Sequence, residues 1–71
     1  MAKLSARNQL EGTIKKVTKG AVNAEVIIEL PGGIEITSII TNQSVDRLGL
    51  KEGGKAYAVI KATNVMIGTD M

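Results

Sequence analysis

Residues 21–41 read AVNAEVIIELPGGIEITSIIT, two alternating runs joined at Pro31-Gly32-Gly33. In the first run Val22, Ala24, Val26, Ile28 and Leu30 share one face, and Asn23, Glu25, Ile27 and Glu29 the other. That period of two belongs to a half-buried strand. The second run sets Ile34, Ile36, Ser38 and Ile40 against Glu35, Thr37, Ile39 and Thr41. Pro-Gly-Gly between two such runs turns the chain, so the stretch predicts a β-hairpin. Ile27 and Ile39 fall on the faces that are otherwise polar, as a subunit contact would require, although single surface apolar residues are also ordinary.

Outward from the hairpin, residues 10–18 predict a preceding strand with Lys19-Gly20 as its turn. Residues 55–62 predict a fourth strand and residues 65–68 a short fifth. Between the third and fourth lies one helical signal of barely two turns, with Thr41 as N-cap, Val45 and Leu48 on one face, and Gly49 as the stop. Five strands with a short helix between strands 3 and 4 predict an all-β, five-stranded Greek-key OB-like barrel. No repeat or linker interrupts it, so residues 1–71 read as a single domain.

Composition narrows what such a domain does. The 71 residues are 44% apolar, yet the one aromatic is Tyr57, and there is neither Cys nor His. A chain this short, without disulfides or a structural metal, commonly gains stability by oligomerisation, so a homo-oligomer is expected. No apolar run suits a signal peptide or a bilayer span, and the lack of Cys is compatible with a reducing compartment, so the expected location is cytoplasmic. Catalysis is not expected. General-base His and nucleophilic Cys are missing, Ser5, Ser38 and Ser44 have no activating base in view, and the seven carboxylates sit mostly at polar strand positions or near turns. The formal charge of +2 is spread over the chain, and one tyrosine cannot stack a row of bases. An OB-fold nucleic-acid-binding protein remains the alternative, with Lys15, Lys16 and Lys19 along one edge.

Three segments carry binding chemistry. Ser5-Ala6-Arg7-Asn8-Gln9 places a hydroxyl and a permanent guanidinium ahead of the first strand, donors suited to a ligand rich in oxygens, unless the segment is simply a solvated arm. Thr41 and Ser44 flank the free N–H groups of the helix start, where oxyanions bind, unless they only cap and face water. Lys61 alternates with Tyr57 and Val59 and so points to an otherwise apolar face, where it either snorkels to solvent or meets an anion.

Ser5-Ala6-Arg7-Asn8-Gln9-Leu10, then Thr41-Asn42-Gln43-Ser44 leading to Leu48-Gly49-Leu50, then Lys61-Ala62-Thr63-Asn64-Val65 together resemble the molbindin (Mop) family and its TOBE-type relatives. The resemblance runs in order over nearly the whole chain. It implies binding of molybdate and tungstate at subunit interfaces for intracellular storage or homeostasis, in a homohexamer built as a trimer of dimers. It further implies a ligand set of Ser5, Ala6, Arg7, Thr41, Ser44, Lys61 and Ala62, with Ala6 and Ala62 acting through backbone N–H. The metal then arrives as an oxyanion, with no protein ligand to a bare cation and no further cofactor. The chain carries neither a helix-turn-helix segment nor a Gly-x-x-x-x-Gly-Lys loop, so the module is expected to act alone. A cage of donors favours such a proton-free dianion over phosphate, whose proton would need an acceptor.

Overall fold

The computed structural model describes residues 4–70. Its elements are β1 (Asn8–Lys19), β2 (Asn23–Glu29), β3 (Glu35–Thr41), α1 (Asn42–Leu48) and β4 (Lys55–Ile60), followed by one 3-10 turn, Ala62–Asn64. The strands form one antiparallel sheet in the order β3-β2-β1-β4.

The hairpin forms as its alternation predicts, in register from Asn23 opposite Thr41 to Glu29 opposite Glu35. Its turn closes through Leu30 N–H donating to Ile34 O at 2.7 Å and Gly33 N–H to Leu30 O at 3.1 Å. Gly32 and Gly33 hold φ of 91° and 85°, a region open to glycine and strained for residues with a Cβ. Beyond the strand ends the alternation loses its meaning. Val22 and Ile34, which it places on the core face, precede their strands and are exposed.

β1 is shared between two neighbours. Asn8 to Thr13 pair with β4, Thr13 to Lys19 pair with β2, and a bulge interrupts the second ladder between Ile14 and Lys16. An extra residue on one strand bends it and increases its twist. At the bend Ile14 N–H donates to Gly54 O and Ile14 O accepts from Gly53 N–H, each at 2.8 Å, so the α1–β4 loop satisfies the backbone there. The sheet curls around a core of Ile14, Ala24, Val26, Ile28, Val45 and Ala58. α1 contributes Val45, with Thr41 as its N-cap and Gly49, at φ 66°, as its left-handed C-cap.

The expected fifth strand is absent among the described residues. β4 ends at Ile60 instead of residue 62, and residues 65–68 adopt no regular structure. Asn64 N–H donates to Lys61 O at 2.8 Å, and the 3-10 turn this closes redirects the chain, so the following backbone joins no ladder. Met66 and Ile67 are left 92% and 87% exposed. Alternation records which side chains want a partner, whereas a strand also needs an edge to pair with. The result is a mostly β, curled four-stranded sheet with one short helix, an OB-like fold whose edge strands β3 and β4 flank an apolar cavity of about 640 Å³.

Gly12 lies on β1 just before the bend. A Cβ there would stand 2.6 Å from Glu29 O and 2.7 Å from Ile28 Cγ2. Gly12→Ala is therefore expected to destabilise the protein by about 1–3 kcal/mol, the usual cost of overpacking. Urea denaturation measures it, and unchanged stability would contradict this close approach of β1 and β2.

Candidate functional site

The ladder between β1 and β4 ends with Asn8 opposite Ile60, and Asn8 Nδ2 donates to Ile60 O at 3.2 Å across that last pair. The two chain segments that leave the sheet there must start side by side. One is Ser5-Ala6-Arg7, where Gln9 Nε2 donates to Ala6 O at 2.9 Å. The other is Lys61 and its 3-10 turn. Ser5, Ala6, Arg7, Lys61, Ala62 and Thr63 line one cavity of about 370 Å³.

Its chemistry is one-sided. A guanidinium, an ammonium and two hydroxyl-bearing residues meet there, with no carboxylate among the described residues of the lining. The ion pairs among the described residues lie elsewhere, at Lys15–Glu35, Lys19–Asp46 (2.6 Å) and Lys55–Glu11 (2.8 Å). Two like charges in one cavity repel each other, and an anion between them reverses that term. The face of β4 that carries Tyr57 and Val59 is apolar but open to solvent. On β4 Ala58 is buried and Ala56 and Ile60 are half-buried, whereas Tyr57 and Val59 are exposed, and Lys61, just past the strand, is exposed too.

Thr41 and Ser44 form the cap that the sequence predicts. Ser44 N–H donates to Thr41 Oγ1 at 3.0 Å, and Thr41 Oγ1 donates to Ser44 Oγ at 2.9 Å. The two hydroxyls and the Ser44 amide thus close one local cap at the helix start. The helix start is tied to the β1–β2 turn. Asn42 N–H donates to Val22 O at 2.8 Å, Asn42 Nδ2 donates to Gly20 O at 2.9 Å, and Lys19 reaches Asp46 on the helix. This lies beside the last residues of β1, whereas Arg7 precedes its first.

The structure therefore sorts the seven expected ligands into two groups. Ser5, Ala6, Arg7, Lys61 and Ala62 share a cavity, and Thr41 and Ser44 are not part of its lining. Thr63, the sixth lining residue, was visible in the sequence only as part of the Lys61-Ala62-Thr63 run, and no strand pattern marks it. The apolar cavity between β3 and β4, walled by residues such as Ile36, Ile40, Ala56 and Ala58, offers an oxyanion little. The lysine edge of a nucleic-acid site is also largely spent. Lys15 and Lys19 are paired with Glu35 and Asp46, and the hydrogen bond that Lys15 donates to Glu35 raises the Lys15 pKa above its usual value. Lys55 is shifted the same way by its hydrogen bond with Glu11.

Among the described residues no three His, Cys, Asp or Glu side chains gather as a cation site, and no helix is long and apolar enough to cross a membrane. Residues 4–67 match the TOBE domain. Molybdenum-pterin-binding protein 1 of Clostridium pasteurianum is 55% identical over 64 residues, 90% of this chain and 94% of that protein. The fold superposes on MopII from Clostridium pasteurianum with a TM-score of 0.89 at 52% identity, covering 94% of this chain and 100% of that one. It also superposes on the cytoplasmic molybdate-binding protein ModG in a molybdate-bound form, with a TM-score of 0.88 at 58% identity, covering 92% of this chain and 46% of that one. The chain belongs to the TOBE-domain family, in its molbindin (Mop) branch.

Proposed function

We propose that this protein binds molybdate, and tungstate by the same donors, for intracellular storage or homeostasis. The observation that carries the reading is the cavity in which Arg7 and Lys61 meet without a carboxylate. Ser5, Arg7 and Lys61 act there through side chains, and Ala6 and Ala62 through backbone N–H. Thr41 and Ser44 come from a neighbouring protomer, which accounts for their place at the other end of β1. The binding step is electrostatic and needs no covalent chemistry. The dianion sheds part of its water, the two cations replace it, and hydroxyls and amides take the remaining oxygen lone pairs.

The same reading makes residues 1–71 a single binding module, cytoplasmic and without a catalytic step, and its ligand a cargo. Relatives support the ligand: ModG is described as a cytoplasmic molybdate-binding protein, and the clostridial relative as molybdenum-pterin-binding. Assembly as a hexamer, a trimer of dimers, is part of the proposal. The open apolar cavity between β3 and β4 and the exposed Val65, Met66 and Ile67 are surfaces that a second subunit would cover.

Arg7→Ala and Lys61→Ala are each expected to weaken molybdate binding by about 2–4 kcal/mol, since charge-assisted bonds are lost inside a pocket. Melting of the ligand-free protein should not fall, because each substitution also relieves repulsion. Isothermal titration giving wild-type affinity for both variants would eliminate the site. Native mass spectrometry is expected to show a hexamer, and a chain that stays chiefly monomeric at micromolar concentration would remove the interface on which the site depends.

A further inference from the structure

We propose that Thr63 is a further donor in the same site, its hydroxyl binding the tetrahedral dianion beside Lys61 and Arg7. The inference deepens the molybdate reading and rests on it. Of the described residues, six line the cavity; five of them already have a role, and the sixth carries a hydroxyl.

The local backbone holds Thr63 in place. Asn64 N–H donates to Lys61 O at 2.8 Å and Val65 N–H to Ala62 O at 3.3 Å, so bonds on both sides of Thr63 close the 3-10 turn that contains it. The residue is β-branched, so its χ1 is stiff and little rotamer entropy is lost when the hydroxyl engages a ligand. Thr63 is exposed and lies outside the hydrophobic core, so packing does not account for it. Electrostatics favours a neutral donor at this point. Arg7 and Lys61 already repel each other when no anion is present, and a third cation would add to that cost. A hydroxyl supplies another hydrogen bond to a ligand of four acceptor oxygens without adding charge.

The test compares Thr63→Val, which removes the hydroxyl at nearly constant shape, with Thr63→Ser, which keeps it. Both are titrated calorimetrically with sodium molybdate and sodium tungstate beside wild type and Lys61→Ala, and melted without ligand. Thr63→Val is expected to weaken both oxyanions about tenfold, the usual size for a hydrogen bond to a charged group. Thr63→Ser should stay close to wild type, and neither variant should shift the ligand-free melting temperature. If Thr63→Val binds as wild type while Lys61→Ala does not, the Thr63 role falls and the cavity reading stands. If Val and Ser weaken binding equally, the hydroxyl is not the cause and the proposal also falls. If Lys61→Ala binds as well as wild type, or wild type fails to bind, both the cavity reading and the Thr63 role are overturned.

Discussion

Strand β1 must serve two partners along one length, and the rest of the molecule depends on how it divides them. Thr13 faces Lys55 on one side and Glu29 on the other, and the bulge before Lys16 lets the strand turn from β4 toward β2. That turn adds to the curl of the sheet, in which Ile14, Val26 and Ala58 meet in one core. Gly12 permits the close approach just before the bend, and Gly53 and Gly54 from the α1–β4 loop bond the Ile14 backbone within it. The same division sets the geometry of the proposed site. Pairing with β4 brings Arg7 to Lys61, and the far end of β1 carries Lys19 to the helix that presents Thr41 and Ser44.

Among the described residues a core of six is small, and much apolar surface stays in contact with water. Burial contributes about 25 cal/mol per Å², so a short chain gains by placing such surface against another copy of itself. Assembly and binding are linked in this account. In the proposed site, Thr41 and Ser44 are not in the lining that holds Arg7 and Lys61, and a symmetric contact is what would bring one protomer's cations to another's helix start. An anion held there would stabilise the assembled state over the separated one.

Much of this was legible in the residues. The hairpin, its Pro-Gly-Gly turn, the Thr41 cap and the Gly49 stop follow from local rules, and each formed where the pattern puts it. The alternation of residues 65–68 misled because it describes side chains, and whether a strand forms also depends on a free edge within reach. Which face of β4 is covered was not legible from side-chain size, since the larger Tyr57 and Val59 are exposed and the small Ala56 and Ala58 are more buried. The meeting of Arg7 with Lys61 is a long-range consequence of the β1–β4 register, which no local pattern encodes; resemblance supplied it. Thr63 had no signal of its own, since its place depends on a single 3-10 turn.

The central claim is that one oxyanion is held by donors from two protomers, and complementation tests it most directly. A chain carrying Arg7→Ala with Lys61→Ala and a chain carrying Thr41→Ala with Ser44→Ala each lack one half of the site, and neither should retain molybdenum alone. Co-expressed and purified as mixed oligomers, they should recover molybdenum in about a quarter of their sites, those pairing the intact half of one chain with the intact half of the other. Mixed oligomers that hold no more molybdenum than the separate variants would mean that each site is built within a single chain, and would contradict the account.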